Sequence, residues 1–142
     1  THGGLLAGFL GNRINIPIVG IGVSRDPVDQ DPLVHQEAQA VADLLGLDMK
    51  VPRETVLSFG EYWRPKYSVP NAAMVEAVQM LARTEAILLD PVYTGKVMAG
   101  LIGLSRQGYF KADENVLFLH TGGAPSLHVY EAQVLGEAPV AD

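Results

Sequence analysis

The sequence predicts an α/β fold in which parallel strands form a twisted sheet with helices on both faces. Residues 15–23 are a dense run of β-branched residues, as in a strand buried on both faces. Further along the chain, short apolar segments alternate with segments of helical spacing, and strands joined through helices run parallel. Hydrophobic residues make up 48% and charged residues 18% of the 142 residues, which is typical of one globular domain.

The first elements follow from local signals. Residues 5–10 are apolar and come after a glycine-rich start, which predicts a short helix. Proline cannot donate to a sheet, so Pro17 must belong to the first residues of the strand that follows. Residues 33–45 have helical spacing, and we expect this helix to begin at Pro32 and to end at Gly46.

The middle of the chain predicts a strand, a loop and a helix. Residues 54–58 form a short strand, and the aromatic segment 59–70 forms a loop that is either structural or a lid over a site. Asn71 is expected to cap a helix that runs to about Arg83.

The last part repeats the alternation. Strands are predicted over residues 86–89 and 116–119, and a helix over residues 94–107 lies between them. A short helix is expected near residues 125–130, and residues 136–142 are expected to form a loose tail.

Three glycine- or hydroxyl-rich turns lie where helices begin, and ligands bind at such turns in open α/β sheets. Residues 1–4 are either an anion cradle or a structural loop with a threonine cap. In the second turn, residues 90–95, Tyr93 belongs either to a ligand site or to the structural scaffold. Thr94 is expected to be the N-cap of the next helix, and Lys96 to point to solvent or to a carboxylate.

The third turn follows the strand predicted over residues 116–119. The hydroxyl of Thr121 could bind a heteroatom above the strand end, with two glycines leaving space beside it, although an ordinary turn fits equally well. His120 is expected to support the site from behind or to lie in the core.

Composition excludes several classes of function. A net charge of −6 argues against nucleic acid and anionic membranes as partners. The absence of cysteine excludes disulfides and thiolate metal sites and suits a reducing compartment, and the four histidines show no metal-ligand spacing. No apolar run approaches the roughly 20 residues that cross a bilayer.

Three motifs together carry a family resemblance. They are THGGLLAG at residues 1–8, LDPVYTGKVMAGL at residues 89–101 and NVLFLHTGGA at residues 115–124. With them the chain resembles the C-terminal part of a pyridoxal-phosphate family of fold type II, which is tryptophan synthase beta-like and includes D-cysteine desulfhydrase and 1-aminocyclopropane-1-carboxylate deaminase. The resemblance implies that residues 1–135 are the C-terminal portion of the cofactor-binding large domain and residues 136–142 a C-terminal tail.

The resemblance also implies roles for five residues. Thr1 would end the loop that holds the cofactor phosphate, and Tyr67 and Tyr93 would be catalytic tyrosines flanking the substrate. Thr94 and Thr121 would bind the cofactor near its ring nitrogen, with Thr121 the nearer. Deaminases of the family carry Glu and Leu at these two positions. A neutral hydroxyl suffices where the leaving group is good, so the hydroxyls favour thiol elimination.

The implied reaction converts D-cysteine and water to pyruvate, hydrogen sulfide and ammonia, with pyridoxal 5'-phosphate as cofactor. A deaminase of the same family and a non-catalytic truncated module are the alternatives. The four lysines do not match the motif of the family's Schiff-base lysine, so we expect the chain to be inactive without the N-terminal part of such an enzyme. The resemblance further implies a homodimer, and the absence of cysteine suits a cytoplasmic location. One departure concerns Lys66 and Ser68, because relatives carry glycine on both sides of the tyrosine between them.

Overall fold

The computed structural model describes residues 1–142 as two compact units, Thr1–Gly60 and Glu61–Asp142, each of which is described by itself. The helices and strands, in chain order, are α1 (His2–Gly11), β1 (Val19–Ile21), α2 (Pro27–Leu44), β2 (Leu57–Phe59), α3 (Ala72–Glu85), α4 (Thr94–Arg106) and α5 (Glu131–Leu135). Short 3-10 helices cover Arg53–Thr55, Glu61–Trp63 and Ala124–Tyr130. None of the helices combines the length and apolar character that a bilayer crossing requires.

The first unit contains a two-stranded parallel sheet next to a helix pair. β1 and β2 pair in register with Gly20 opposite Ser58. Helices α1 and α2 pack on each other, and their small residues allow close approach, since a Cβ on Gly3 would lie only 2.9 Å from the Ala38 nitrogen. The buried residues of this core are Leu6, Ala7, Val34, Ala38, Ala42, Val51 and Val56. The predicted parallel pairing is thereby confirmed, although β1 is shorter than residues 15–23 and only partly buried.

Helix α2 begins earlier than its sequence predicts. Pro27, not Pro32, occupies the first helical position, after Asp26 as the extended N-cap residue. Pro32 lies inside the helix, where it lacks the N–H that would continue the hydrogen-bond ladder. The end at Gly46, which has a φ of 66°, is as predicted.

The second unit is built on α3 and α4. As predicted, Asn71 caps α3, with its side-chain oxygen accepting the N–H of Met74 at 2.9 Å. The buried residues of this core are Met74, Ala77, Val78, Leu89, Met98, Ala99 and Val134. Fully burying one large side chain of this kind contributes about 1.5–3 kcal/mol.

Two predicted strands of the second unit are not formed. Residues 86–89 and 116–119 have no ladder of backbone hydrogen bonds, and the exposed side chain of Leu117 (90%) shows that one of them lies open at the surface. An apolar run becomes a strand only when a neighbouring strand supplies its hydrogen bonds. The prediction of these two strands, which rested on the apolar sequence alone, is therefore wrong.

The last residues are not loose. Ala141 forms an isolated parallel bridge with Asn71. Its carbonyl accepts the N–H of Ala72 at 2.8 Å, and its N–H donates to the carbonyl of Pro70 at 3.1 Å. The chain end is thereby bound to the start of α3.

Candidate active site

The turn before α4 is organised by the carboxylate of Asp90, which is fully buried. Its Oδ2 accepts the N–H groups of Val92 and Tyr93 at 2.8 and 2.7 Å. Its Oδ1 accepts the N–H and the hydroxyl of Thr94, both at 2.7 Å. A carboxylate at a helix N-terminus satisfies N–H groups that have no partner in the helix and complements the helix dipole. Asp90 is therefore the capping side chain of this turn.

Thr94 is not the N-cap that its sequence position predicts. The cap position is Tyr93, whose side chain makes no capping bond, and Thr94 is the first helical residue. The Thr94 hydroxyl donates to Asp90 Oδ1 and accepts the Asp90 N–H at 2.9 Å, and the residue is 1% exposed. The hydroxyl proton of Thr94 is thus used in the hydrogen bond to Asp90.

The structure brings together the two tyrosines named by the resemblance. The hydroxyl groups of Tyr67 and Tyr93 are hydrogen-bonded, and their rings meet edge to face with centroids 6.1 Å apart. Both side chains are about half exposed, so a ligand can reach them. The hydrogen bond to Tyr93 raises the pKa of Tyr67, with burial and nearby acidic groups adding to it. The phenol of Tyr67 is therefore protonated at neutral pH.

The part of the aromatic segment that carries Tyr67, residues 61–70, is fixed by side-chain hydrogen bonds. Asn71 is 6% exposed, and its Nδ2 donates to the carbonyls of Arg64 at 2.7 Å and Tyr62 at 3.2 Å. On the other side of Tyr67, the Ser68 hydroxyl is hydrogen-bonded to that of Tyr130. The segment is thus a fixed part of the second unit in this structure.

The prediction that Lys96 points to solvent or to a carboxylate is wrong. Lys96 is 0% exposed, and its Nζ donates to the carbonyl of Trp63 at 2.7 Å and that of Lys66 at 3.4 Å. Helical spacing could have revealed this, because Val92 and Gly100 lie four residues before and after it and both are buried.

The third turn lies against the Asp90 turn. A Cβ on Gly123 would be 2.8 Å from Asp90 Cγ, so only glycine fits there without a shift. His120 Nδ1 accepts the N–H of Gly122 at 3.0 Å, which leaves Nε2 to donate to the carbonyl of Leu88, also at 3.0 Å. His120 is exposed, so it supports the turn through its backbone contacts and is not a core residue. Thr121, between His120 and Gly122, is exposed.

Thr1 belongs to the first unit, where it is the N-cap residue of α1 and makes no side-chain capping bond. A Cβ on Gly4 would meet nothing within 4 Å, so the first turn of this helix is open on that side. The ring of His2 lies on Gly20 of β1, and burial lowers the pKa of His2, a shift partly offset by Asp31.

Comparison with known proteins gives three findings. A sequence profile for a family described as "Pyridoxal-phosphate dependent enzyme" matches residues 1–122. The chain is 43% identical over 134 residues to D-cysteine desulfhydrase of Serratia proteamaculans (strain 568), covering 94% of this chain and 40% of that protein. It also matches the structure described as "Crystal Structure Analysis of the ACC deaminase homologue", with a TM-score of 0.80, 30% identity and coverage of 97% of this chain and 42% of the other. The chain thus spans about two fifths of the length of both relatives.

Proposed function

The chain belongs to the pyridoxal-phosphate dependent enzyme family, and we propose that it forms part of a lyase that converts D-cysteine and water to pyruvate, hydrogen sulfide and ammonia. The likeness to the Serratia desulfhydrase supports this proposal. The observation that carries it is the hydroxyl residues Thr94 and Thr121 at the positions where the resemblance gives the deaminases Glu and Leu.

The residues present fit the cofactor at two places. At the start of α1, the free Thr1 hydroxyl and the open side of Gly4 leave helix N–H groups available to a phosphate. In the second unit, Thr121 presents an exposed hydroxyl, and a Cβ on the adjacent Gly122 would meet nothing within 4 Å. We propose that Thr1 contacts the phosphate and that Thr121 contacts the ring nitrogen.

Pyridoxal phosphate, when bound, supplies an electron sink that stabilises negative charge on the amino-acid Cα. A threonine hydroxyl stays neutral, so Thr121 would bind the ring nitrogen without enforcing its protonation as a carboxylate would. Elimination of sulfide has a good leaving group and requires less help from the ring. We propose that Thr94 acts indirectly, by orienting Asp90 and through it the backbone of Tyr93.

The tyrosine pair provides a proton at a defined place. Two phenols carry two hydroxyl protons, and one of them lies between Tyr67 and Tyr93. The other is free to donate to a substrate group or to the departing sulfur. We propose that the pair orients the substrate and protonates the leaving group.

The proposed function is tested by assaying the complete protein, as its gene encodes it, for activity on D-cysteine. Pyruvate and sulfide formed from D-cysteine support it, and the variant Thr121→Leu should lose most of this activity while Thr84→Val, on the exposed face of α3, retains it. Formation of 2-oxobutyrate from 1-aminocyclopropane-1-carboxylate, without pyruvate from D-cysteine, would contradict the proposal. That outcome would instead support the deaminase reading, which the likeness to the deaminase homologue favours.

A homodimeric assembly and a cytoplasmic location both remain predictions from the sequence. Analytical ultracentrifugation of the same polypeptide tests the dimer, and a monomer at assay concentration would contradict it.

A further inference from the structure

Lys96 is a buried cation whose position the reaction does not explain. It lies on α4, three residues after Tyr93, with no exposed surface. Burial alone lowers the pKa of Lys96, with no neighbouring charge contributing to the shift. Taking an ammonium out of water costs several kcal/mol unless its N–H groups are well satisfied. An apolar side chain would avoid this cost, so the ammonium needs a structural reason.

The reason lies in the carbonyls that it contacts. Lys96 binds the carbonyls of Trp63 and Lys66, and Asn71 binds those of Tyr62 and Arg64. Two buried side chains thus fix four carbonyls within residues 62–66. The next residue along the chain is Tyr67, whose hydroxyl meets Tyr93.

We propose that Lys96 is a positioning residue that holds Tyr67 against Tyr93 by fixing the carbonyls of Trp63 and Lys66. Lys96 lies in the first turn of α4 and Tyr93 is the N-cap residue of that helix, so the segment contacts the start of α4 at two points. The importance of this anchor for the reaction rests on the proposed function, whereas its existence does not.

The test uses the whole chain and two spectroscopic signals that need neither cofactor nor activity. The chain has a single tryptophan, Trp63, whose fluorescence quenching by acrylamide reports access to the anchored segment. The 13Cζ chemical shift of Tyr67 at neutral pH reports its hydrogen bond to Tyr93, and the variant Tyr93→Phe defines its unpaired value. Lys96→Met removes the ammonium at similar length, and Lys111→Met, at an exposed position of the same unit, is the matched control.

We expect Lys96→Met to move the Tyr67 signal to its value in Tyr93→Phe and to raise the Trp63 quenching constant by about twofold, as for a locally opened segment. Lys111→Met should leave both signals unchanged. A folded Lys96→Met protein with the wild-type Tyr67 shift and quenching constant would overturn the proposal.

If Lys96→Met does not fold, Lys96→Arg carries the test, because it keeps the charge and the donors. The Tyr67 shift should then stay at its wild-type value, and an unpaired value in a folded Lys96→Arg protein would overturn the proposal. Because neither signal depends on D-cysteine, failure of this inference is distinguishable from failure of the proposed function.

Discussion

Replacing Asp90 by asparagine should destabilise the second unit severely, because one carboxylate satisfies three backbone N–H groups and a hydroxyl. Asparagine offers one acceptor oxygen. If its amide nitrogen replaces Oδ2, it faces the N–H groups of Val92 and Tyr93, and two hydrogen bonds are lost.

A hydrogen bond to a charged group contributes about 1.5–3 kcal/mol, so two lost bonds cost about 3–6 kcal/mol. A unit of this size has a stability of about 4–12 kcal/mol. Asp90→Asn should therefore remove about a quarter or more of the free energy of unfolding.

Urea unfolding followed by Trp63 emission measures this loss, since the only tryptophan lies in the second unit. The control is Asp113→Asn, at an exposed position of the same unit, which should change stability by less than about 0.5 kcal/mol. If Asp90→Asn unfolds within that same margin of the wild type, the capping role assigned to this carboxylate is wrong.

Three further predictions concern neighbouring contacts and pH. Thr94→Val should cost about 1–3 kcal/mol in urea unfolding because the buried Asp90 N–H loses its acceptor, while Thr94→Ser should recover most of this loss, and equal losses would refute the role of the hydroxyl. Gly122→Ala and Gly123→Ala share the cost of a positive φ (95° and 93°), but only the second meets Asp90, so Gly123→Ala should be less stable by a further 1–3 kcal/mol or so, and equal stability would count against this contact. The pKa of His2 is lower in the folded state than in the unfolded state. As pH falls through 6.5, the unfolded chain therefore binds a proton at His2 before the folded protein does, and the free energy of unfolding decreases. As pH falls through this range, the hydrogen-exchange protection factors of the α1 amides should fall less in His2→Gln than in the wild type or in the control His128→Gln, and identical pH profiles of the protection factors would disprove this prediction.

Local signals in the sequence predict the cap of α3 and the end of α2 correctly, although α2 begins earlier than they indicate. Asn71 caps α3, and Gly46 follows the end of α2, because these effects depend only on residues within one or two turns. The resemblance names Tyr67 and Tyr93 together, and their hydroxyl groups are hydrogen-bonded, while their catalytic role stays a prediction.

Predictions failed where the partner is distant or where two residues compete for one role. Thr94 and Asp90 both suit a helix N-terminus, and the side chain that reaches more N–H groups takes the role. The charge of Lys96 predicts solvent or a carboxylate around it, but its partners are backbone carbonyls 30 and 33 residues away in the sequence. The strand predicted over residues 116–119 lacks a neighbour to pair with, which no local pattern reveals.

The bridge at Ala141 also bears on the position of Tyr67. Its two backbone hydrogen bonds straddle Asn71, whose side chain orders the aromatic segment leading to Tyr67. Loss of these two hydrogen bonds should therefore loosen the peptide that carries Tyr67, although Ala141 lies far from it along the chain.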